Sequence, residues 1–583
     1  MATRSRFHSE EAGSCNQPEA VLAGCVRSGS DTGAERDDAT AEVAEALASG
    51  ANLIWVNSIG TAETPLKLRS LAGGSHPKAA VTVALGFWRS GDGGGGIFYW
   101  DATSTLPDDG GTVIQVTGLA TGRWKRVYDG VLNVKFFGAK GAGTEDTAAI
   151  LTAIAAVPAT GGTLFFPPGS YVVSSTLKIS VSSTHIRGSG IYSTLINFIP
   201  PTGATWAGAA CFCFSRPAPS TGDTLANCSI TGIAFYSPDT THQKIAITTA
   251  NVSNLKIEDI ATGCWGGGGG GNAPTTPSIG LWLRGRETIT VRNVVLYADR
   301  PVHIDQNPWT AASIDADHYH FQDLTLASFP SKAEPCINFE NTTQLAGHGP
   351  AVLFVTNFTI DGANAFIPGT DGIRFVDPQT NTAGGSCQNL HIQNIRMEQT
   401  NSAAGSFGVR LSLVNRGFYN VNLTNVAADA CAQGFFFRNV RVLTLENCAY
   451  AGTGVAFDSD GILDGAGHTN QGCMDITLLN TFFQEGSTIN SSNLVESFSL
   501  SRYNTRLPPC LHYDTVANPN VRGVTAEKIH LGASSGTGPT FTTGAGVPSV
   551  DEPVGSLYLN LSGGASSTLY VKTAVGTSGW TSK

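Results

Sequence analysis

The sequence predicts an all-β fold dominated by a parallel β-helix with three strands per coil, with a small β-rich N-terminal module before it and a C-terminal β tip after it. Three observations predict this. Quartets that align by pattern carry Asn or Asp in one column, at Asp259, Asn293, Asp323, Asn357, Asn394, Asn425, Asn447 and Asn480, with Gly232 in an earlier coil. Asn, Asp and Gly tolerate left-handed backbone angles, so the column marks a sharp bend between two strands. Apolar residues fall two and four before the column and one and three after it, and the phase slips at the column itself, as two strands meeting at a corner require. A further apolar run precedes several bends, as in Gly280-Leu281-Trp282-Leu283, Gly372-Ile373-Arg374-Phe375 and Gly408-Val409-Arg410-Leu411. Repeats of this kind mean a solenoid, with length variation confined to turns.

The elements follow in order. Residues 1–55 are polar and Ala-rich, with one short helix expected between Asp38 and Leu47. Residues 56–130 hold short strands punctuated by glycine: Ile97-Phe98-Tyr99-Trp100-Asp101, Thr112-Val113-Ile114 and Gly122-Arg123-Trp124-Lys125-Arg126. The β-helix is assigned to residues 131–520. Its first turn is capped by a helix beginning at Asp146, whose Ile150 and Ile154 share a face and whose position keeps the open β-edge from pairing with a neighbour. Residues 521–583 form the tip, where Leu557-Tyr558-Leu559-Asn560 and Thr568-Leu569-Tyr570-Val571 read as a hairpin.

Composition excludes several classes. The net charge is −10 with no run of Lys and Arg, which argues against nucleic acid as a partner. No apolar stretch approaches the ~18 residues of a membrane span, and the first thirty residues lack the apolar core of a secretory signal. Synthesis in a host cytoplasm is therefore expected. Twelve cysteines are thinly spread, several inside apolar runs, and are expected to be reduced. Cys211 and Cys213 form a C-x-C without a matching pair, so neither a metal nor another cofactor is expected.

Two stretches resemble known families. The elements G-G-G-x-F-x-W-D, D-D-G-G-T-V-I and G-R-W-x-R between Gly91 and Val127 resemble the small β module ahead of the shaft in phage tailspikes. Residues 133–150, with Gly161-Gly162-Thr163 leading to Pro168-Gly169-Ser170-Tyr171, resemble the opening of the pectate-lyase-like right-handed parallel β-helix family. The resemblance implies a virion component, released by lysis, whose residues 1–55 attach to a phage baseplate or tail protein or form a flexible segment, and whose tip registers a homotrimer. It also implies recognition and depolymerisation of a bacterial surface polysaccharide by endo-glycosidic hydrolysis. A lyase acting on an acidic glycan and a non-catalytic receptor-binding spike are the alternatives. The polygalacturonase motifs do not carry over: Gly347-His348-Gly349 matches one piece, and no N-T-D precedes it.

Column geometry supplies the candidate chemistry. Equivalent residues on stacked coils lie one strand spacing apart, ~4.8 Å. Four residues after the bend the coils carry Asp361, Glu398 and Asp429. Crowded carboxylates resist ionising together, so one member of such a row donates a proton while its partner stays charged, as glycoside hydrolysis needs. Across the adjoining loop an outward row of Trp282, Asn338, Arg374, Arg410 and Phe436 offers guanidiniums and aromatic faces to a sugar, and Arg396 adds a cation beside the acids. A rival site collects Asp299, Asp305, Asp315, Asp317, His318 and His320 with Trp309 and Tyr319 in one turn region. Ligand type alone would let Asp315, Asp317, His318 and His320 hold a metal, but nothing in their spacing fixes a geometry.

Overall fold

The computed structural model describes residues 53–60, 67–71, 81–204, 206–216, 224–265, 277–305, 314–329, 334–340, 353–366, 370–376, 386–398, 405–413, 417–460, 473–484, 487–492, 498–499, 502–503, 511–514, 524–525, 528–530 and 538–583. The chain divides into two compact units, Met1–Val131 and Leu132–Lys583. The helix expected between Asp38 and Leu47, and His348, lie outside the described residues.

The first unit is a five-stranded sheet. Gly96–Asp101 pairs antiparallel with Arg123–Val127, which places Trp100 against Trp124 at 5.2 Å between ring centres. Trp124, Phe98, Ile114, Val56 and Leu68 form its core. The acidic turn that reads D-D-G-G is structural: Asp108 takes the guanidinium of Arg69 and two backbone N–H groups. Asp109 gathers the N–H groups of Gly111, Thr112 and Val113.

The second unit opens on the helix Thr147–Ala155, with Ile150 buried against the first coil. Asp146 precedes it but does not cap it: the carboxylate accepts from the N–H groups of Lys140 and Gly141 at 2.7 and 2.9 Å and so ties down the entering chain. Each coil beyond contributes one short strand to a twelve-stranded parallel sheet and one long strand to an eighteen-stranded sheet. The long strands are bent by residues with left-handed angles: Gly232, Asp259, Asn293, Asp323, Gly362, Asn394, Asn425, Asn447 and Asn480. Five residues upstream runs a second left-handed column, Asn227, Asn254, Thr288, His318, Asn389, Asn420 and Val442. Side-chain amides bond along the columns, Asn293 to Asp259 at 2.6 Å, Asn425 to Asn394 at 3.0 Å and Asn420 to Asn389 at 2.8 Å.

One register assignment is corrected. Asp323 is followed in the bend column by Gly362, because Gln322 pairs with Asp361 and Leu324 with Ala363. Asn357 belongs to the second column, opposite Asn389, since Thr356 pairs with Gln388 and Phe358 with Leu390. Both columns favour the same residue types for the same steric reason, so a coil with Asn in one and Gly in the other reads five residues out of register.

Inside, identical rows stack. Ile257, Val291, Phe321, Ile360, Ile392, Leu423, Leu445 and Leu478 follow one another in register and are all buried. Phe339 and Phe375 of the short-strand sheet stack at 4.9 Å. Each such side chain contributes roughly 1.5–3 kcal/mol of apolar burial. Eight cysteines, among them Cys211, Cys336 and Cys448, are buried free thiols within this packing. The tip holds the expected hairpin, Leu557–Asn560 antiparallel to Leu569–Lys572, within a five-stranded sheet.

Candidate active site

The acidic row contains two of its three expected members. Glu398 and Asp429 end the adjacent long strands Ser386–Glu398 and Gly417–Asp429 and pair in register, with Arg396 two residues inward of Glu398. In the preceding coil the equivalent position is Phe366, not Asp361. Asp361 lies just before the Gly362 bend, between Gln322 and Gln393, and accepts from Asn394 Nδ2 at 2.8 Å. It is part of the amide ladder rather than of the row.

Arg396 joins the remaining pair. Its Nη2 lies 3.0 Å from Asp429 Oδ2 and 3.8 Å from Glu398 Oε2, which holds those two oxygens within about 7 Å of each other. The side chains of Arg396, Glu398 and Asp429 are 60, 51 and 40% exposed. Ion pairs this exposed add at most about 1 kcal/mol, so the fold does not need them. Arg396 and Glu398 also border a cavity of about 700 Å³ whose wall includes Tyr297, Leu326, Phe329, Asn364 and Ala365. The site thus has two carboxylates, one cation and, beside Glu398, a largely apolar concave wall, which suits the face of a sugar ring next to an acid–base pair.

The outward row of the short-strand sheet is formed as expected and is continuous through His303: Trp282, His303, Asn338, Arg374, Arg410 and Phe436 pair in sequence. Its aromatics are not open platforms. Trp282 meets the His303 ring edge-on at 5.3 Å and carries the Arg284 guanidinium over it at 4.3 Å. Phe436 is buried, with Arg410 and Arg438 at 5.1 and 5.4 Å from its ring centre. The expectation that these two rings carry sugar faces is corrected by that packing. Arg410 is itself held by Asp371 at 2.8 Å.

The described members of the rival cluster fall on different strands and connections. Asp299 is fully buried and accepts from the Ser278 N–H at 2.9 Å. Asp305 forms a two-point pair with Arg284, with Nη2 to Oδ2 at 2.8 Å. Burial alone would raise the Asp305 carboxyl, but Arg284 and His303 outweigh it and hold it at about 2. His318, Tyr319 and His320 sit in the strand Ile314–Ser328 rather than a turn, so alternation buries Tyr319 and turns the two imidazoles outward, 6.4 Å apart. Asp315 and Asp317 share that strand, where Asp317 pairs by its backbone with Glu287 and Thr356. Trp309 lies outside the described residues. Among the described residues no group of acidic, His or Cys side chains is placed to hold a metal ion.

Reading by pattern missed His303, Glu334, Glu340 and Asp371. His303 sits at the centre of a polar network: Arg300 Nη1 and Asn338 Nδ2 both direct donors at its Nδ1, each at 3.0 Å. Nδ1 therefore accepts and the ring proton sits on Nε2, 3.6 Å from Asp305 Oδ2. Burial pushes this imidazole below its ordinary value. Its strand opens Arg300-Pro301, where Gly280, Gly372, Gly408, Gly434 and Gly454 open or lead into five others.

Residues 62–129 match the small four-stranded β-sheet domain of phage tail proteins, and residues 131–207 match the rhamnogalacturonase A/epimerase, pectate-lyase-like family. No curated protein matches the chain. Among solved structures, the chain is similar to the tailspike of Acinetobacter phage vb_AbaP_AS12, at 13% identity over 78% of this chain and 73% of that one, TM-score 0.44. It is similar to a capsular polysaccharide depolymerase tailspike of Acinetobacter baumannii bacteriophage Fri1, at 14% identity over 75 and 70%, TM-score 0.42. It is also similar to the A-module of a mannuronan C-5 epimerase of Azotobacter vinelandii, at 14% identity over 68 and 100%, TM-score 0.41. Among the described residues no helix is long and apolar enough to cross a membrane. The chain thus joins a phage tail β-sheet domain to a pectate-lyase-like segment that begins its parallel β-helix.

Proposed function

We propose that this chain is a tailspike that binds and depolymerises a bacterial surface polysaccharide by endo-glycosidic hydrolysis, with Glu398 and Asp429 as the working carboxylates and Arg396 binding beside them. The observation that carries the reading is the exposed carboxylate pair on adjacent coils, within about 7 Å, with Glu398 at the edge of a cavity of about 700 Å³. One carboxyl delivers a proton to the leaving oxygen; the other acts on the opposite face of the ring, on water or on the anomeric carbon. Arg396 Nη2 donates to Asp429 Oδ2 at 3.0 Å and stands farther from Glu398, and on that asymmetry Asp429 is assigned as base or nucleophile and Glu398 as acid. The phage tail β-sheet domain at residues 62–129 supports the reading as a virion protein that meets a bacterial surface. Assembly as a homotrimer, attachment to the phage tail through the N-terminal region and synthesis in the host cytoplasm belong to the same proposal.

The test is product analysis on a capsule, exopolysaccharide or O-antigen preparation from a susceptible host. New reducing ends without ultraviolet-absorbing unsaturation support hydrolysis. Unsaturated ends would replace it with a lyase, and a bound but uncut glycan would replace it with a receptor-binding spike.

A further inference from the structure

Three of the four guanidiniums gathered around His303 and Asn338 have a carboxylate partner: Arg284 has Asp305, Arg300 has Glu334 and Arg410 has Asp371. Arg374 does not. Half-buried in the same cluster, it makes one hydrogen bond among the described residues, from Nε to Asn338 Oδ1 at 2.8 Å, and no ion pair. Burial with no carboxylate in contact pulls its pKa below the usual guanidinium range. Glu340 mirrors it on the previous coil: its carboxylate accepts one hydrogen bond, from Asn338 Nδ2 at 3.1 Å, and likewise has no ion pair among the described residues.

Opposite charges this poorly solvated attract strongly, and closing into an ion pair is their ordinary fate. Asn338 prevents it. The residue is fully buried and its amide is committed at three points, Nδ2 to His303 Nδ1 and to Glu340 Oε2, and Oδ1 from Arg374. Since the network fixes the tautomer of His303, the amide cannot turn over without losing all three bonds. The result is a donor fork and an acceptor held apart on one outward face, each with capacity to spare.

We propose that Arg374 and Glu340 are the donor and acceptor of a second saccharide site, separate from the Glu398 row, that grips neighbouring hydroxyls of an uncharged sugar ring. The assignment rests on reading the chain as a saccharide-handling protein. Charge decides the ligand class: Arg300, Arg374 and Arg410 balance Glu334, Glu340 and Asp371, so a carboxylated sugar loses to Glu340 what it gains from Arg374, whereas vicinal hydroxyls satisfy both ends.

Saturation-transfer NMR on the full-length chain tests it, with the methyl glycosides of glucose, galactose and mannose as neutral probes and glucuronate and galacturonate as charged ones. At least one neutral glycoside is expected to bind, and R374Q and E340Q each to weaken it about ten-fold or more. N338L, which frees the two side chains to pair with each other, is expected to do the same with Arg374 and Glu340 intact. Binding persists in E398Q, so a failed hydrolase reading and a failed second site are told apart. The proposal is overturned if no neutral glycoside binds the folded wild type, if only uronates bind, or if R374Q and E340Q bind like wild type. Should N338L fail to fold, the other two variants decide.

Discussion

Replacing Asp361, Glu398 and Asp429 singly by their amides separates a row read from sequence from the row the strands form. Asp361 sits at the bend, where Asn394 donates to its Oδ1 at 2.8 Å. An amide oxygen accepts that bond equally well, so D361N keeps its ladder contact and costs less than about 1 kcal/mol of stability. Its position beside Gln322 and Gln393 gives it no part in proton transfer, and turnover stays within about two-fold of wild type. Glu398 and Asp429 are different. Loss of a positioned acid or base typically costs about 10²–10⁴ in rate, or roughly 2.7–5.5 kcal/mol of barrier. Neither amide disturbs a buried contact, so E398Q and D429N are expected to melt like wild type while losing about that much reducing-end release. The assay is initial-rate reducing-sugar release on the host polysaccharide, with pull-down on the same glycan to confirm retained binding. If D361N is as inactive as E398Q, or if E398Q and D429N both turn over normally, the register argument for this site is wrong.

Further outcomes follow from the packing. Removing Asp305 takes the two-point carboxylate contact from the buried Arg284 guanidinium, so D305A is expected to cost about 3–5 kcal/mol in chemical denaturation. Because the folded carboxyl titrates at about 2, below the ordinary ~3.9, its contribution is complete above pH ~4 and disappears as pH falls towards 2; an acid-denaturation series should show that loss in wild type and lack it in D305A. At Gly362, with φ +72°, an added Cβ meets Asp323 Oδ1 at 3.1 Å; G362N, matching the rest of the column, is expected to stay within about 1 kcal/mol by thermal melting, and G362V to lose more. Leu423→Ala in a fully buried row is expected to cost about 2–5 kcal/mol by the same measurement.

The solenoid was legible because its two requirements, a left-handed residue at each corner and period-two burial between corners, are local and recur in every coil. Asp259, Asn293, Asn394 and Asn425 sat where pattern put them for that reason. The same economy caused the slip at Asn357, since two columns with one steric demand draw on the same residues. A site row inherits any register error, and Asp361 entered it that way. The short-strand network was less legible still, because it is defined by partners: nothing in Glu340, Glu334 or Asp371 taken singly marks a carboxylate that shares a cluster with Arg374. Burial of Phe436 and the walling of Trp282 are likewise properties of neighbours, not of residue type.

The amide ladder has a consequence for how such a chain can change. Asn293 reaches Asp259 and Asn425 reaches Asn394 by the same bond at the same corner, so a stretch from one bend to the next is an interchangeable module. Deleting or duplicating one would shorten or lengthen the shaft by a single strand spacing, ~4.8 Å, and bring like corners together again. Lineages built this way can trade whole rungs, and the grip each rung carries at its rim, without renegotiating the core.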